Sequence, residues 1–292
     1  MVRYRVPAST TNLGHGFDCL GMAVALYNDV TVSELAANAV VVNDALGLAT
    51  LTQRVRAQAM ERWHCQLPPL SVTVRGDVPI ARGLGSSATI IVAVASACRS
   101  LAGLTEDLSA VISLSAAVEG HPDNVTAACL GGFTIAGEAA DGARSARFPP
   151  PQGLCAVLSI PAFEVKTSEA RRILPQELTR AEATRALQRT ALIVAAFARG
   201  DGSALRGLFD EAWHERYRAA LNPALQRIRS VAATAGAFGT ILSGSGSTIL
   251  SLVPRAGAEP VLQRLRAAAS LRGEAMEMKI VDFAAQGVQQ LR

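Results

Sequence analysis

The stretch Pro79-Ile80-Ala81-Arg82-Gly83-Leu84-Gly85-Ser86-Ser87-Ala88, followed by an apolar run over residues 89–102, decides how the rest of the chain is read. Gly83 and Gly85 carry no Cβ, so the backbone there can turn tightly and approach a ligand closely. Ser86 and Ser87 stand where an N-cap belongs, ahead of a helical run. That run is apolar on nearly every face (Ile90, Ile91, Val92, Val94, Leu101), which predicts a helix buried in the core. A buried helix opening from a Gly/Ser loop presents free N–H groups and the positive end of its dipole, a setting that suits phosphate. The loop is therefore expected to hold the phosphates of a nucleotide, although the same residues would also make an ordinary loop and cap. No Lys follows the glycines, so this is not a Walker loop. The Gly-x-Ser-x-Gly of a nucleophile elbow is absent from it as well.

The chain has 292 residues, enough to bury a large core in one large or two modest domains. Half of it is apolar, yet no uninterrupted apolar run reaches the roughly 18–20 residues that a bilayer span needs. Val2-Arg3-Tyr4-Arg5-Val6 alternates like a strand and does not read as a signal peptide, so a cytoplasmic protein is expected. Five scattered cysteines without metal-ligand spacing point to reduced thiols, and four dispersed histidines argue against a histidine metal centre. The net charge of +4 rests on arginine, since Lys166 and Lys279 are the only lysines. The arginines are interleaved with Glu and apolar residues, as in 180–185, the pattern of a solvated helix face with ion pairs. Few aromatics accompany them, so neither nucleic acid nor membrane is an expected partner. The surplus suits a small anionic substrate.

In chain order, residues 2–8 read as a strand running into a turn-rich loop over 7–18, and a second strand covers 20–32. A helix over 49–63 is stopped by Pro68-Pro69, and 70–75 alternates cleanly as a strand that leads to the glycine loop. After the buried helix, another is expected at about 106–118. The cluster Glu119-Gly120-His121-Pro122-Asp123-Asn124 then interrupts two apolar helical stretches, with Asp123 or Asn124 available as a cap. A carboxylate such as Glu119 near a phosphate site is a natural Mg²⁺ ligand. Residues 131–135 start a further strand. The Asp-Gly, arginine and proline stretch over 141–151 reads as a boundary, giving units 1–150 and 151–292. Beyond it come a strand at 154–160, a short capped helix at 166–175 and helices at about 179–199, 203–216 and 223–235. Arg171 and Arg172 read by default as exposed surface. A strand at 239–243, a second Gly/Ser loop at 243–248, a strand at 249–253, a helix at 259–271 and a strand at 275–281 close the chain. The class is α+β, with helices on one face of an antiparallel sheet in the second half.

Three stretches, 7–18, 79–88 and 242–248, now stand in one order, and in type and order they resemble the motifs of the GHMP small-molecule kinase superfamily. Within it the chain resembles the homoserine kinase family over nearly its whole length. The closer marks are Asn12-Leu13-Gly14 with Gly16-Phe17-Asp18, and Glu119-Gly120-His121-Pro122-Asp123-Asn124 before Gly131-Gly132. Ser168-Glu169-Ala170-Arg171 with Ile173-Leu174-Pro175, and His214-Glu215 with Tyr217-Arg218, Leu221 and Pro223, extend the likeness. The resemblance implies a two-domain fold, with an N-terminal nucleotide-binding α+β domain and a C-terminal ferredoxin-like α/β sandwich. It implies ATP and Mg²⁺, and phosphoryl transfer to the side-chain hydroxyl of L-homoserine on the route to threonine. By matching positions, Pro79, Arg82, Gly83, Leu84, Gly85, Ser86, Ser87 and Ala88 would bind the nucleotide, and Ser87 and Glu119 the metal. Asn12, Asp18, His121, Asn124, Arg171, Arg218, Gly244 and Ser245 would hold the amino acid. Asp18 is the candidate for its ammonium group, and Arg171 or Arg218 offers a fork for its carboxylate. The family also often forms homodimers.

Asn124, Ser87 and Glu119 are the expected catalytic residues. Mevalonate-type relatives place an aspartate, with a lysine nearby, where this chain has Asn124, so transfer without a strong general base is expected. Asp123 is the alternative base. The chain departs from the family at His15 and Ser247, where proline is usual, and at 47–51, where the usual Asn-Leu stretch near the adenine is missing. Two other outcomes are a GHMP kinase for another small hydroxylated amino acid or metabolite, and a catalytically inactive ligand-binding homologue.

Overall fold

The computed structural model describes residues 1–35, 47–139, 142–210 and 212–292. Strand β1 (Val2–Thr11) pairs antiparallel with the long strand β2 (Leu20–Glu34), with a register shift at Pro7/Ala8. The strand thus runs on through residues 7–11, which the sequence reads as loop. Ser9, Thr10 and Thr11 are buried and partnered, so their polarity serves the interior and not a solvated turn. Helix α1 (Leu48–Trp63) leads to β3 (Leu70–Gly76), which pairs with β2 from Asn28 to Glu34.

Helix α2 (Ser86–Leu101) is the buried helix that its composition predicts, since residues 88–95 are all essentially without solvent contact. It packs against α1, against α3 (Leu108–Glu119) and against β1, in a core that includes Val6, Val30, Val55, Ile91, Val94 and Leu114. Helix α4 (Asp123–Leu130) starts at Asp123 behind Pro122 and has no side-chain cap, so neither Asp123 nor Asn124 caps it as expected. Strands β4 (Phe133–Ala139) and β5 (Gly142–Phe148) form a hairpin on the β2 edge. Most of the stretch read as a boundary is therefore an edge strand, while Asp141, where that reading began, lies outside the described residues.

The second sheet starts with β6 (Leu154–Pro161), buried along its whole length as an apolar run interrupted only by Ser159 requires. Helix α5 (Thr167–Arg172) has Lys166 at its N-cap and no side-chain cap. Helix α6 (Arg180–Ala198) begins with a complete capping box of Thr179 and Glu182. The helix expected over 203–216 is a 3₁₀ turn at 202–205, an irregular segment and the short helix α7 (Trp213–Arg218), with Glu211 outside the described residues. Leu205, at the end of the 3₁₀ turn, and Phe209, in the irregular segment, are both buried although no α-helix joins them, which is why their spacing looks helical. Helix α8 (Leu225–Thr234), β7 (Gly239–Leu242), β8 (Ile249–Pro254), α9 (Ala258–Ser270) and β9 (Met276–Val281) complete an antiparallel sheet of order β7-β8-β6-β9. A core of Val157, Leu225, Ile228, Val261 and Leu265 joins α8 and α9 to that sheet. The chain then returns to the first sheet. The backbone of residues 282–284 bonds Ala23, Ala25 and Gly132, and β10 (Gln289–Leu291) pairs with β1.

Candidate active site

The glycine loop lies against the second Gly/Ser loop, and that contact explains its composition. Gly83 has φ 72°, and a Cβ there would lie 2.2 Å from the Ser243 carbonyl oxygen. Gly85 has φ 69°, and a Cβ there would lie 2.1 Å from Ser9 Oγ. Ser243 Oγ donates to the Gly83 carbonyl at 2.7 Å, and Thr248 N to that of Arg82 at 3.1 Å, which closes the seam between the loops.

The N-cap of α2 is Gly85 and not a serine, and no side chain caps this helix. Ser86 and Ser87 are its first residues. Among the described residues, the N–H groups of its first turn therefore keep no side-chain partner at the cavity that both serines line. Ser87 Oγ donates to Glu119 Oε1 at 2.5 Å, so a hydroxyl and a carboxylate stand together at the helix mouth. Leu84 and Ala88, expected beside the nucleotide, are fully buried and do not line the cavity. Arg82 lines the cavity, but its guanidinium is committed to the carbonyls of Ile80, Pro161 and Ala162 and to Glu164, tethering the loop to the end of β6. Pro79 is half-buried and does not line the cavity.

One cavity of about 480 Å³ runs past this mouth. Its apolar end is walled by Leu48, Leu51, Val74, Val78, Ile80 and Ile90, from α1, β3, the glycine loop and α2. Its other end gathers Asn12, Asp18, His121, Asp123, Asn124, Arg171, Arg218, Gly244 and Ser245, which lie up to hundreds of residues apart in the chain. Arg171, read by default as surface, forms a fork on Asp18, with Nη1–Oδ2 at 2.9 Å and Nη2–Oδ1 at 2.6 Å. Arg218 is almost fully buried, and its Nε donates to the Ala170 carbonyl at 3.1 Å. Burial, with the charge of Arg171 added, lowers its pKa to about 10, so it remains a cation at neutral pH.

His121 Nδ1 lies 2.8 Å from Asp123 Oδ1, which also accepts the Asn124 N–H at 2.8 Å. Burial alone would lower the pKa of this imidazole, but the hydrogen bond and charge of Asp123, with the charge of Glu119, raise it overall. Asn124 accepts from Ser9 Oγ at 2.8 Å and donates to Thr11 Oγ1 at 3.2 Å. The side chains of Asp18, His121 and Asp123 could also converge on a cation, but Arg171 sits on both oxygens of Asp18, and the imidazole sits on Oδ1 of Asp123. The oxygen pair of Ser87 and Glu119 fits Mg²⁺ better, a hard ion that takes one or two protein ligands beside phosphate and water. Sequence reasoning missed Thr11, Asn28 and Thr167, which also line the cavity. Their only signal was short polar side chains inside strand-like or helix-start segments.

Two family models match: "GHMP kinases N terminal domain" over residues 43–132 and "GHMP kinases C terminal" over residues 193–271. A homoserine kinase of Microchaete diplosiphon is 40% identical over 259 residues, 86% of this chain and 84% of the relative. A homoserine kinase of Deinococcus radiodurans is 39% identical over 255 residues, 84% of this chain and 82% of the relative. The crystal structure of homoserine kinase from Cytophaga hutchinsonii superposes with a TM-score of 0.84 at 23% identity, covering 99% of this chain and 97% of that one. The two-sheet architecture with its glycine-loop helix is thus the GHMP fold. The chain is a kinase of the GHMP superfamily and belongs to its homoserine kinase family.

Proposed function

We propose that this enzyme transfers the γ-phosphoryl group of ATP to the side-chain hydroxyl of L-homoserine, giving O-phospho-L-homoserine for threonine biosynthesis in the cytoplasm. The observation that carries the reading is the single cavity with an apolar end, an uncapped helix mouth and a charged end. The adenine packs on Leu48, Leu51, Val74 and Ile90, without the Asn-Leu stretch usual beside it. The first-turn amides of α2 and the loop backbone from Gly83 to Ser87 hold the phosphates. Ser87 and Glu119 would hold Mg²⁺, which would supply positive charge against the phosphates.

At the charged end, Asp18 and Arg171 are paired with each other, and the zwitterion binds by exchanging partners with that fork. Asp18 takes the ammonium group, and Arg171 with Arg218 takes the carboxylate. Each such charge-assisted hydrogen bond is worth about 1.5–3 kcal/mol. Asn12, His121, Asn124, Gly244 and Ser245 complete the wall around the acceptor. Asn124 is an amide and cannot take up the proton of the attacking hydroxyl, so its work is orientation. Asp123 is buried and already accepts from His121 and from the Asn124 N–H, which makes it a scaffold for those two groups and not a base. A loose phosphoryl-transfer transition state asks mainly for positioning and charge stabilisation, which this set provides. As the new O–P bond forms and the bond to ADP breaks, the hydroxyl proton passes to an oxygen of the transferred phosphoryl group and on to solvent.

A coupled ADP-release screen over small alcohols and hydroxylated amino acids, with and without Mg²⁺, tests the reading. L-Homoserine should give the highest kcat/KM and require the metal. A higher value for another acceptor would reassign the substrate, and absence of turnover with metal-independent nucleotide binding would mark an inactive homologue.

A further inference from the structure

His214 does not line the cavity, yet its ring joins two parts of the charged end that come from opposite ends of the chain. Its Nε2 lies 2.8 Å from the Gly14 carbonyl oxygen. A carbonyl only accepts, so Nε2 carries the proton and Nδ1 of the neutral ring is left with its lone pair. Nδ1 faces Arg218 Nη1 at 3.2 Å and accepts from it. The second Nη1 proton goes to the Gly244 carbonyl at 3.1 Å, and Asn12 Nδ2 donates to that same oxygen at 2.9 Å. Asn12, Gly244, Arg218, His214 and Gly14 are thereby linked by four hydrogen bonds into a ring that the backbone of residues 12–14 closes, between the first loop, the second Gly/Ser loop and α7. Within this ring both Nη1 protons and the Nε proton of Arg218 are engaged. Nη2 makes no hydrogen bond to any described residue and is left for a ligand.

The stacking around Phe17 points the same way. The guanidinium carbons of Arg171 and Arg218 stand 5.5 and 5.4 Å from its ring centre, and His214 and Trp213 back that ring at 5.4 and 4.9 Å. Phe17 therefore spaces the two arginines, and His214 supports both the spacer and one of the arginines.

We propose that His214 is a positioning residue for the acceptor: as a neutral hydrogen-bond acceptor for Nη1 it turns Arg218 so that Nη2 faces the substrate carboxylate, without touching the substrate itself. Burial, with the adjacent charge of Arg218, lowers the His214 pKa to about 3, so the lone pair is present at every pH at which the enzyme would be assayed. The inference rests on the reading that Arg218 holds the carboxylate of the amino acid.

Steady-state kinetics of H214L, H214N, H214Q and R218A in the full-length protein test it. The Oδ1 of Asn can stand in for Nδ1 facing Arg218, whereas Gln keeps only the donor to Gly14. H214L and H214Q should each raise the KM for L-homoserine about 10- to 100-fold, the worth of one charge-assisted hydrogen bond. The KM for ATP should stay within about twofold, and H214N should recover most of the loss. Equal rises in both KM values, or H214N no better than H214Q, would reduce His214 to a packing residue and overturn the proposal. If H214L does not fold, the comparison of H214N with H214Q decides alone. R218A separates the two layers of the argument: a large rise in homoserine KM with R218A but none with H214Q sinks only the positioning role. No rise with R218A sinks the carboxylate reading beneath it.

Discussion

In the proposed reading, the helix mouth and the charged end of the cavity solve the same problem, holding an anion, by different means. At the mouth the donors are backbone amides fixed by the start of α2, and the guanidinium of Arg82 is tied to carbonyls. At the charged end the donors are side chains of Asn12, Arg171 and Arg218, drawn from three distant segments and aimed by ion pairs and shared carbonyl acceptors. The first arrangement depends on the absence of side chains, and the second depends on their full complement. Mutation should therefore damage the two ends in opposite ways: adding one carbon ruins the mouth, and deleting a guanidinium ruins the other end.

The strongest test of that contrast is Gly83→Ala. Its Cβ would lie 2.2 Å from one backbone oxygen and 2.7 Å from another, at φ 72°. A clash with main chain displaces the loop, and a displacement of about 1 Å in positioning groups can cost roughly a hundredfold in rate. We expect kcat/KM for ATP to fall by at least about that factor, with about 1–3 kcal/mol of stability lost in denaturant titration. Wild-type ATP kinetics in this variant would mean that the mouth does not hold the triphosphate.

Arg171→Ala should come next, raising the KM for L-homoserine about 10- to 100-fold while ATP binding measured by calorimetry stays unchanged. A parallel loss of ATP affinity would erase the distinction between the two ends. Asp123→Asn sharpens the comparison from inside the charged end. Because Asp123 is read as a scaffold and not a proton acceptor, turnover should fall by less than about tenfold, whereas loss of a general base costs about 10²–10⁴. A loss of several orders of magnitude, with Asn124→Ala mild, would restore the base.

The smallest effect concerns stability. His214 is pushed from an ordinary 6.5 to about 3 by burial and then by Arg218, among neighbours that include His15, Glu215 and Arg229. Between those values the unfolded chain binds a proton that the folded chain refuses. Its contribution is therefore complete above the unfolded value and is lost as pH falls, at up to about 1.4 kcal/mol per pH unit. His121 has the opposite sign, since a raised folded value adds stability below the ordinary histidine pKa that fades as pH rises through the folded one. Urea melts of wild type and H214N between pH 7 and 4 should show the acid slope reduced in the variant. Equal slopes would place the ring in solvent.

What could be read from the sequence follows the same division. The mouth is local: two glycines, two serines and an apolar run lie within about twenty residues, and their chemistry dictates a turn and a buried helix whatever else the chain does. Even there the cap was misplaced, because a glycine at positive φ does without the serine hydroxyl. The charged end came from the family likeness and not from pattern, since nothing in the neighbourhood of Arg171 announces that its partner is Asp18. Strand β5 was missed because Gly142-Ala143-Arg144-Ser145-Ala146-Arg147-Phe148 is an exposed edge strand, and exposure removes the apolar alternation that marks strands. The 203–216 segment failed for the converse reason. Buried Leu205 and Phe209 supply helical spacing while Gly207, at φ 70°, breaks the helix between them.

The pairing of β10 with β1 sets Leu291 opposite Arg3, so residues near the two extremities of the sequence are strand neighbours. A short peptide bridge could join them, and the polypeptide could then be reopened at a surface turn without disturbing any wall of the cleft. Such a circular permutant would carry the three motifs in a rotated succession. The pocket itself requires only that the three motifs meet in space, whatever their order along the chain.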